Sequence, residues 1–269
     1  MNIRTKKFRP LLICAVLFMP CAVLAQEAPA ASAPKIDPAA MAVLKKMADH
    51  IAGLPKFSVN IRAGYDAVQE SGQKIEFGET RTVTLKRPDR FRAEIARSDG
   101  DQGVVVFNGK DIVAFNDTEN VYATEAKPGS LDDAIAYFVK DLQMRLPLAM
   151  LYVSTLPAEL DRRVTDAALV EESVAGKEIL DHVAARTETV DFQVWVTRGK
   201  DPLPRRVVLT YKQADGQPQY WAELSGWNMA PDVAEAKFTF TPPKDAERIQ
   251  FATQLKGPGS KAEKSEVSK

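Results

Sequence analysis

The sequence predicts an α+β fold, a single antiparallel sheet with a layer of short helices on one side. Three observations predict it. From residue 57 to residue 125, apolar residues recur at alternate positions in long runs joined by polar turns. A stretch with helical spacing follows and is interrupted by Pro147 and Pro157. From residue 169 to residue 240 the two-residue period returns.

The chain begins with an export tag. Arg4, Lys6, Lys7 and Arg9 form a basic start, Leu11 to Leu24 is apolar apart from Pro20, and Val23 and Ala25 are small. That is the layout of a secretory signal peptide spanning residues 1–25 and cleaved after Ala25. Lipidation at Cys21 is the competing reading, but Phe18, Met19 and Pro20 lack the small residue such processing favours. Residues 26–35, rich in Ala and Pro, read as a disordered leader, and residues 253–269, dominated by Gly, Ser, Lys and Glu, as a solvated tail. One domain, residues 36–252, is expected between them.

That domain opens with a helix. Asp37 suits the cap and Pro38 the first turn, Leu44, Met47, Ile51 and Leu54 form one stripe, and Pro55 stops it. Phe57, Val59, Ile61, Ala63 and Tyr65 then alternate with polar neighbours. Ile75, Phe77, Val83 and Leu85 keep that parity after a turn at Ser71-Gly72. Phe91, Ala93 and Ile95 keep it again after Pro88-Asp89, so the three runs read as an antiparallel meander with one apolar face. Asn108-Gly109 predicts a two-residue hairpin turn, pairing Phe107 with Lys110 and Val105 with Ile112. A strand over Val121 to Glu125 follows. Ser130 and Asp133 resemble a capping box, and Leu131, Ile135, Phe138, Val139 and Leu142 fit short helices that end near Arg163. The closing strands are expected over Leu169 to Val174, Glu178 to Arg186, Phe192 to Thr197, Arg205 to Lys212 and Tyr220 to Trp227. Phe238 and Phe240 are placed in a last short strand.

Composition narrows the function. The whole chain has 36 basic and 36 acidic residues; without the four basic residues of the tag, 32 and 36 remain, a net charge of −4. No concentrated basic surface suits nucleic acid. Both cysteines, Cys14 and Cys21, lie in the tag, so the exported chain can form neither a disulfide nor a thiolate metal site. No second run of roughly twenty apolar residues occurs, so any membrane contact is peripheral or transient.

Catalytic groups are sparse. The two histidines, His50 and His182, are expected to be structural or solvated, since Asp181 and His182 face opposite sides of a strand. The neighbouring acids Glu171-Glu172 and Asp132-Asp133 do not predict a converging pair. No nucleophile elbow, phosphate loop or zinc-protease motif is present. The chain reads as non-enzymatic, with no cofactor and no metal. Trp195, Trp221 and Trp227 are expected to pack against a helix or loop rather than lie exposed. Arg205-Arg206 reads as a solvated strand start, with an anionic head group as the other possibility.

Five segments carry a resemblance: KRPDRFRAEI (Lys86 to Ile95), VYATEAKPGSLDDAI (Val121 to Ile135), DFQVWVTRGKDPLPRRVVLTYK (Asp191 to Lys212), LSGWNMAP (Leu224 to Pro231) and FTFTPPKDAERI (Phe238 to Ile249). Together they resemble a family of predicted periplasmic proteins that is similar in turn to the lipoprotein-localisation, LolA- and LolB-like, superfamily. The shared pattern reads here as Arg87-Pro88-Asp89-Arg90, Asn108-Gly109-Lys110 and Phe115. The Trp and Asp-Pro often found after that hairpin are absent; Ile112, Val113 and Asn116-Asp117 occupy the region.

The resemblance implies a periplasmic incomplete β-barrel whose concave side is closed by short helices. It also implies a carrier or binder of an acyl chain, from a lipid or a lipoprotein. Ile61, Phe77, Val83 and Phe91 are then expected to line the hollow, with Leu44, Met47 and Phe138 in the lid. The alternative is a protein-interaction or stress-sensing module with an envelope protein as partner.

Overall fold

The computed structural model describes residues 36–141 and 146–250. The expected tag, leader and tail, and Leu142, lie outside the described residues.

Helix α1, Pro38–Gly53, starts where the Asp37 carboxylate accepts a 2.8 Å hydrogen bond from the Ala39 amide, and it ends as the backbone becomes extended at Leu54. Its buried face is Ala40, Leu44, Met47, Ala48 and Ile51. Burying each of the larger three contributes about 1.5–3 kcal/mol. A helix of this length gains its stability mainly from such packing.

Six strands follow in sequence: β1 Lys56–Val68, β2 Lys74–Lys86, β3 Arg90–Arg97, β4 Gln102–Phe107, β5 Asp111–Asn116 and β6 Val121–Ala126. Each pairs antiparallel with the next. The helical interlude comprises α2 Leu131–Ala136, a π turn over Tyr137–Asp141, a 3-10 turn over Ala149–Leu151, and α3 Leu156–Arg163. The capping box is present: Ser130 Oγ accepts from the Asp133 amide and Asp133 accepts from the Ser130 amide. A second meander runs through β7 Asp166–Ala175, β8 Glu178–Arg186, β9 Val190–Thr197, β10 Pro204–Tyr211 and β11 Gln219–Asn228.

The two meanders join where β11 pairs antiparallel with β1, and with a short last strand, β12 Glu247–Arg248, they give one open sheet in the order β12-β6-β5-β4-β3-β2-β1-β11-β10-β9-β8-β7. That last strand runs parallel to β6, so the sheet is mixed rather than wholly antiparallel. The architecture is an open α+β half-barrel. Inner-face residues of both meanders, from Ala123 on β6 to Ala167 on β7, join the helices in one apolar cluster.

The alternation read from the sequence is the pairing that forms. Phe57, Leu85 and Phe91 lie in one cross-strand row and Val59, Val83 and Ala93 in the next, all on the face that packs against the helices. A bulge then alters the parity of β11. Its register to β1 shifts between Ser58 and Asn60, and Gly226 lies there at φ +59. A glycine accepts that left-handed backbone without a Cβ penalty. The extra residue returns Trp227 to the inner cluster, 5.3 Å from Phe57.

Three expectations change. The hairpin after β4 is centred one residue later, with Phe107 opposite Ile112. The reason is the Asn108 side chain, whose Oδ1 accepts from the amides of Lys110 and Asp111 and so turns the chain as a side chain rather than as a central turn residue. Phe238 belongs to no strand; it ends a 3-10 turn over Glu235–Phe238 and is fully buried on the outer face against Val104, Val106 and Phe115. Trp195 and Trp221 meet strand side chains instead of a helix or loop among the described residues: His182 stacks on Trp195, and Glu76 accepts from Trp221 Nε1. They lie half-buried on the outer face beneath Arg206, 5.7 and 5.5 Å from the two rings, with Arg62 4.9 Å from Trp221. Trp221 also crosses Gly64, where an added Cβ would come within 2.6–2.9 Å of the indole.

Candidate functional site

The inner face is the candidate site. Of the seven residues expected there, Leu44, Met47, Ile61, Val83, Phe91 and Phe138 belong to the one inner cluster. Phe77 lies outside that cluster, half-buried toward the far end of β2 and stacked 5.9 Å from Tyr65. Phe91 meets the covering layer directly, with its ring 5.3 Å from Tyr152.

The cover is assembled from short pieces. Leu131, Ala134, Phe138, Leu148, Leu151, Tyr152, Val153 and Leu156 supply its apolar side. Leu148 holds φ +65, a left-handed conformation that costs a branched residue about 1 kcal/mol. Polar ties between the cover and the rest are specific. Arg87, just beyond β2, donates from Nε to the Leu54 carbonyl at 3.2 Å and from Nη1 to the Tyr152 carbonyl at 2.8 Å. Asp132 accepts from the Ser154 amide at 3.0 Å and pins the second half of the cover to α2.

The inner face is not uniformly apolar. Glu79 and Arg81 occupy the two positions between Phe77 and Val83 on the same parity, so they point inward with them. Their cross-strand neighbours on β1 are Ala63 and Ile61. Arg81 Nη2 lies 2.6 Å from Glu79 Oε1, a close ion pair in which the Glu79 side chain is 5% exposed and that of Arg81 20%. Tyr220, opposite Tyr65 on β11, and Tyr152 from the cover complete the group; both residues are buried. Three donors here, Arg81 Nε, Tyr152 OH and Tyr220 OH, have no hydrogen-bond partner among the described residues. Sequence reading passed over this group. Its signal was present: two charged residues within an apolar parity.

Burial pushes the Tyr152 phenol up to about 12 against an ordinary value near 10, with Arg81 opposing and Glu79 adding. Burial also pushes Tyr220 up, again against Arg81 and with Glu79 adding. For Arg81, burial pulls down, but Tyr220, Glu79 and Tyr152 outweigh it and the net direction is up. Below pH 10 both phenols are neutral in the folded and the unfolded chain, so they add no pH dependence to stability there. Between pH 10 and about 12 the folded chain retains protons that the unfolded chain has released, so stability falls as pH rises. The expected slope is about 1.4 kcal/mol per pH unit for each phenol. Urea unfolding across that window should show the slope reduced by Tyr152→Phe and by Tyr220→Phe. Slopes identical to the parent would contradict the burial of these hydroxyls.

The other candidate groups have partners of their own. His50, in the last turn of α1, has Nε2 3.9 Å from Asp201 Oδ1. His182 stacks on Trp195 at 3.9 Å and its Nε2 lies 2.9 Å from Gln193 Oε1. Arg205 pairs with Glu178, and Arg206 with Glu223 at 3.1 Å. Among the described residues, no group of three His, Cys, Asp or Glu is placed to hold a metal ion. No described helix is long and apolar enough to cross a membrane. Two surface grooves border β3 to β5, the larger about 410 Å³ and lined by Thr80, Thr82, Glu94, Gln102, Phe115 and Phe240 among others; none of the seven expected residues lines either one.

Solved structures similar to this chain include a conserved protein from Thermus thermophilus, 12% identical, covering 79% of this chain and 99% of that one at a TM-score of 0.47. The lipoprotein LppX from Mycobacterium tuberculosis is 14% identical, with 74% and 100% covered and a TM-score of 0.46. A LolA superfamily protein from Nitrosomonas europaea is 12% identical, with 75% and 97% covered and a TM-score of 0.36. No curated protein matches the chain. The model of the family described as "Predicted periplasmic protein (DUF2092)" matches residues 40–252, most of the chain, and the chain belongs to that family.

Proposed function

We propose that this protein is a non-enzymatic periplasmic carrier that holds an acyl chain, from a lipid or a lipoprotein, between the inner face of its sheet and the helical cover. In this reading it is exported by residues 1–25, which are removed after Ala25. The observation that carries the proposal is the inner cluster itself. An apolar face drawn from both meanders is covered by short, separate helical pieces rather than by a second sheet.

The side chains of that face pack against the cover: Leu44, Ile61 and Val83 are no more than 2% exposed. An acyl chain therefore enters by displacing the cover. Helices as short as α2 and α3, six and eight residues, have little stability of their own and depend on that packing. Burying a CH₂ group gains about 0.8 kcal/mol, so a chain of about 16 carbons offers on the order of 12 kcal/mol. Lifting the cover and breaking the two Arg87 bonds offsets much of this, and a carrier that must release its cargo needs that offset. Leu44, Met47 and Phe138 then move with the cover, while Ile61, Val83 and Phe91 stay on the sheet and, with Phe77 at its far end, contact the chain.

The test is titration of delipidated protein with a fluorescent acyl probe such as dansylaminoundecanoic acid. Binding at micromolar concentration is expected, and Ile61→Arg should weaken it at least tenfold. Absence of binding by folded protein would overturn the proposal.

One observation favours a second reading, an envelope protein-interaction module. β7 is the outermost strand on its side of the sheet, bridged only by Ile36 at Ala167 among the described residues, and Val170 and Val174 are 51% and 72% exposed. An open strand edge with apolar side chains can accept a partner's strand. A single stoichiometric partner captured from lipid-free envelope extract, and lost with Val170→Lys/Val174→Lys, would favour that role.

A further inference from the structure

We propose that Glu79, Arg81, Tyr152 and Tyr220 form a polar recognition site for the neutral carbonyl linkage, ester or amide, at the head of the acyl chain. This rests on the acyl-carrier reading and adds the chemical class of the cargo.

Arg81 Nε, Tyr152 OH and Tyr220 OH are buried donors without partners among the described residues, and beside them Glu79 Oε1 is a buried acceptor held by Arg81 Nη2 at 2.6 Å. Folded proteins rarely leave such groups unpaired, because each costs free energy unless a ligand or water completes it. Here three such donors, with the Glu79 carboxylate beside them, come from three separate parts of the chain. Glu79 and Arg81 lie on β2, Tyr220 lies on β11 on the far side of β1, and Tyr152 comes from the cover. Arg81 is within electrostatic reach of both phenols. The surroundings are apolar: Ile61 and Ala63 are the cross-strand neighbours on β1, and Ala222 and Leu224 continue those rows on β11.

The donor count selects the ligand. Three unpaired donors suit a group that offers lone pairs, and a carbonyl oxygen is the simplest that an acyl chain carries. Charge selects further. Arg81 and Glu79 already neutralise each other. A free carboxylate or phosphate would bring a second negative charge beside Glu79 in a poorly solvated place, where like charges are disfavoured. A neutral ester or amide adds none, and the Glu79 oxygen can accept from an amide N–H or an adjacent hydroxyl. The site also lies where the cargo would put its head. Tyr152 sits on the cover that must lift, and its ring packs on Phe91. Closure over a chain therefore brings one of the donors down onto the linkage.

The experiment uses the full chain, delipidated, and four probes. 1-Monopalmitoylglycerol carries the ester, 1-O-hexadecylglycerol is its ether without the carbonyl, N-palmitoylethanolamine carries the amide, and palmitate carries the free carboxylate. The parent should bind the ester or the amide about tenfold more tightly than the ether and than palmitate. The better of the two distinguishes an acylglyceryl source from an N-acyl one. Tyr220→Phe and Tyr152→Phe should each bring the ester and amide down toward the ether while leaving ether affinity unchanged. The same substitutions should raise Tm of the unliganded protein by about 2–4 °C, because each removes an unpaired buried hydroxyl. A purely structural tyrosine would not shift affinity and stability in opposite directions. Equal binding of ester, amide and ether by the parent, or palmitate bound most tightly, would overturn the linkage site while leaving the carrier intact. So would Tyr220→Phe weakening all four probes alike. Failure of all four to bind would overturn the carrier reading with it.

Discussion

Glu79→Leu alone is expected to lower the free energy of unfolding by about 3 kcal/mol or more, whereas Glu79→Leu combined with Arg81→Met should recover most of the loss. The single change removes the only carboxylate paired with Arg81 among the described residues, 2.6 Å from its guanidinium. Arg81 would stay charged, with Nε unpartnered, between Ile61 and Ile95 on the neighbouring strands. Breaking one side of a buried ion pair typically costs about 3–5 kcal/mol, and the 20% exposure of Arg81 places this site at the lower end. Replacing both partners with apolar side chains of similar size removes the unpaired charge and completes the apolar face. Urea denaturation gives both numbers from the midpoint and slope. A single variant within about 0.5 kcal/mol of the parent would show that water reaches the pair freely. A stable double variant would also separate folding from cargo selection: its fold remains, and its preference for the carbonyl linkage is lost.

Phe238→Ala should destabilise the protein by about 3–5 kcal/mol, the range for truncating a fully buried phenylalanine. Phe238 is 0% exposed and closes an outer-face cluster with Val104, Val106 and Phe115. The segment that carries it crosses the outside of the sheet under several ties. Lys56 Nζ donates to the Pro231 carbonyl at 3.0 Å, and Glu235 pairs with Lys86 at 2.7 Å and with Arg90 at 2.8 Å. Hydrogen bonds from Lys86 and Arg90 hold the Glu235 carboxyl well below its usual range, at about 2. Beyond it, β12 adds to the β6 edge. Phe240→Ala should cost less, since Phe240 is only half-buried at 5.1 Å from Phe115. A Phe238→Ala variant that unfolds within about 1 kcal/mol of the parent would show that the segment is an appendage rather than part of the core.

The sequence carried the local order of this fold well. Alternation from Phe57 to Ile95 placed three strands and their inner face because the two-residue period is a property of each strand alone. Helix α1 and the Ser130–Asp133 cap were legible for the same reason. What depends on distant partners was not. Nothing local in Gln219–Asn228 says that it pairs with Lys56–Val68, about 160 residues away, and so joins the two meanders. Phe238 looks like strand sequence, and only the outer surface of β4 and β5 makes it a buried plug. Asn108-Gly109 announces a turn, but the side-chain bonds of Asn108 move its centre by one residue. The polar group within the inner face was half legible. Glu79 and Arg81 break an apolar parity in plain view, whereas Tyr152 joins them only through the path of the cover.

The central claim, that the inner face holds an acyl chain, is tested most directly by native mass spectrometry of protein purified without detergent from its own cell envelope. A single added mass, matching one acylated lipid or lipopeptide per chain and removed by organic extraction, is the predicted result. A bare-chain mass from that preparation, unchanged after incubation with 1-monopalmitoylglycerol, would contradict it.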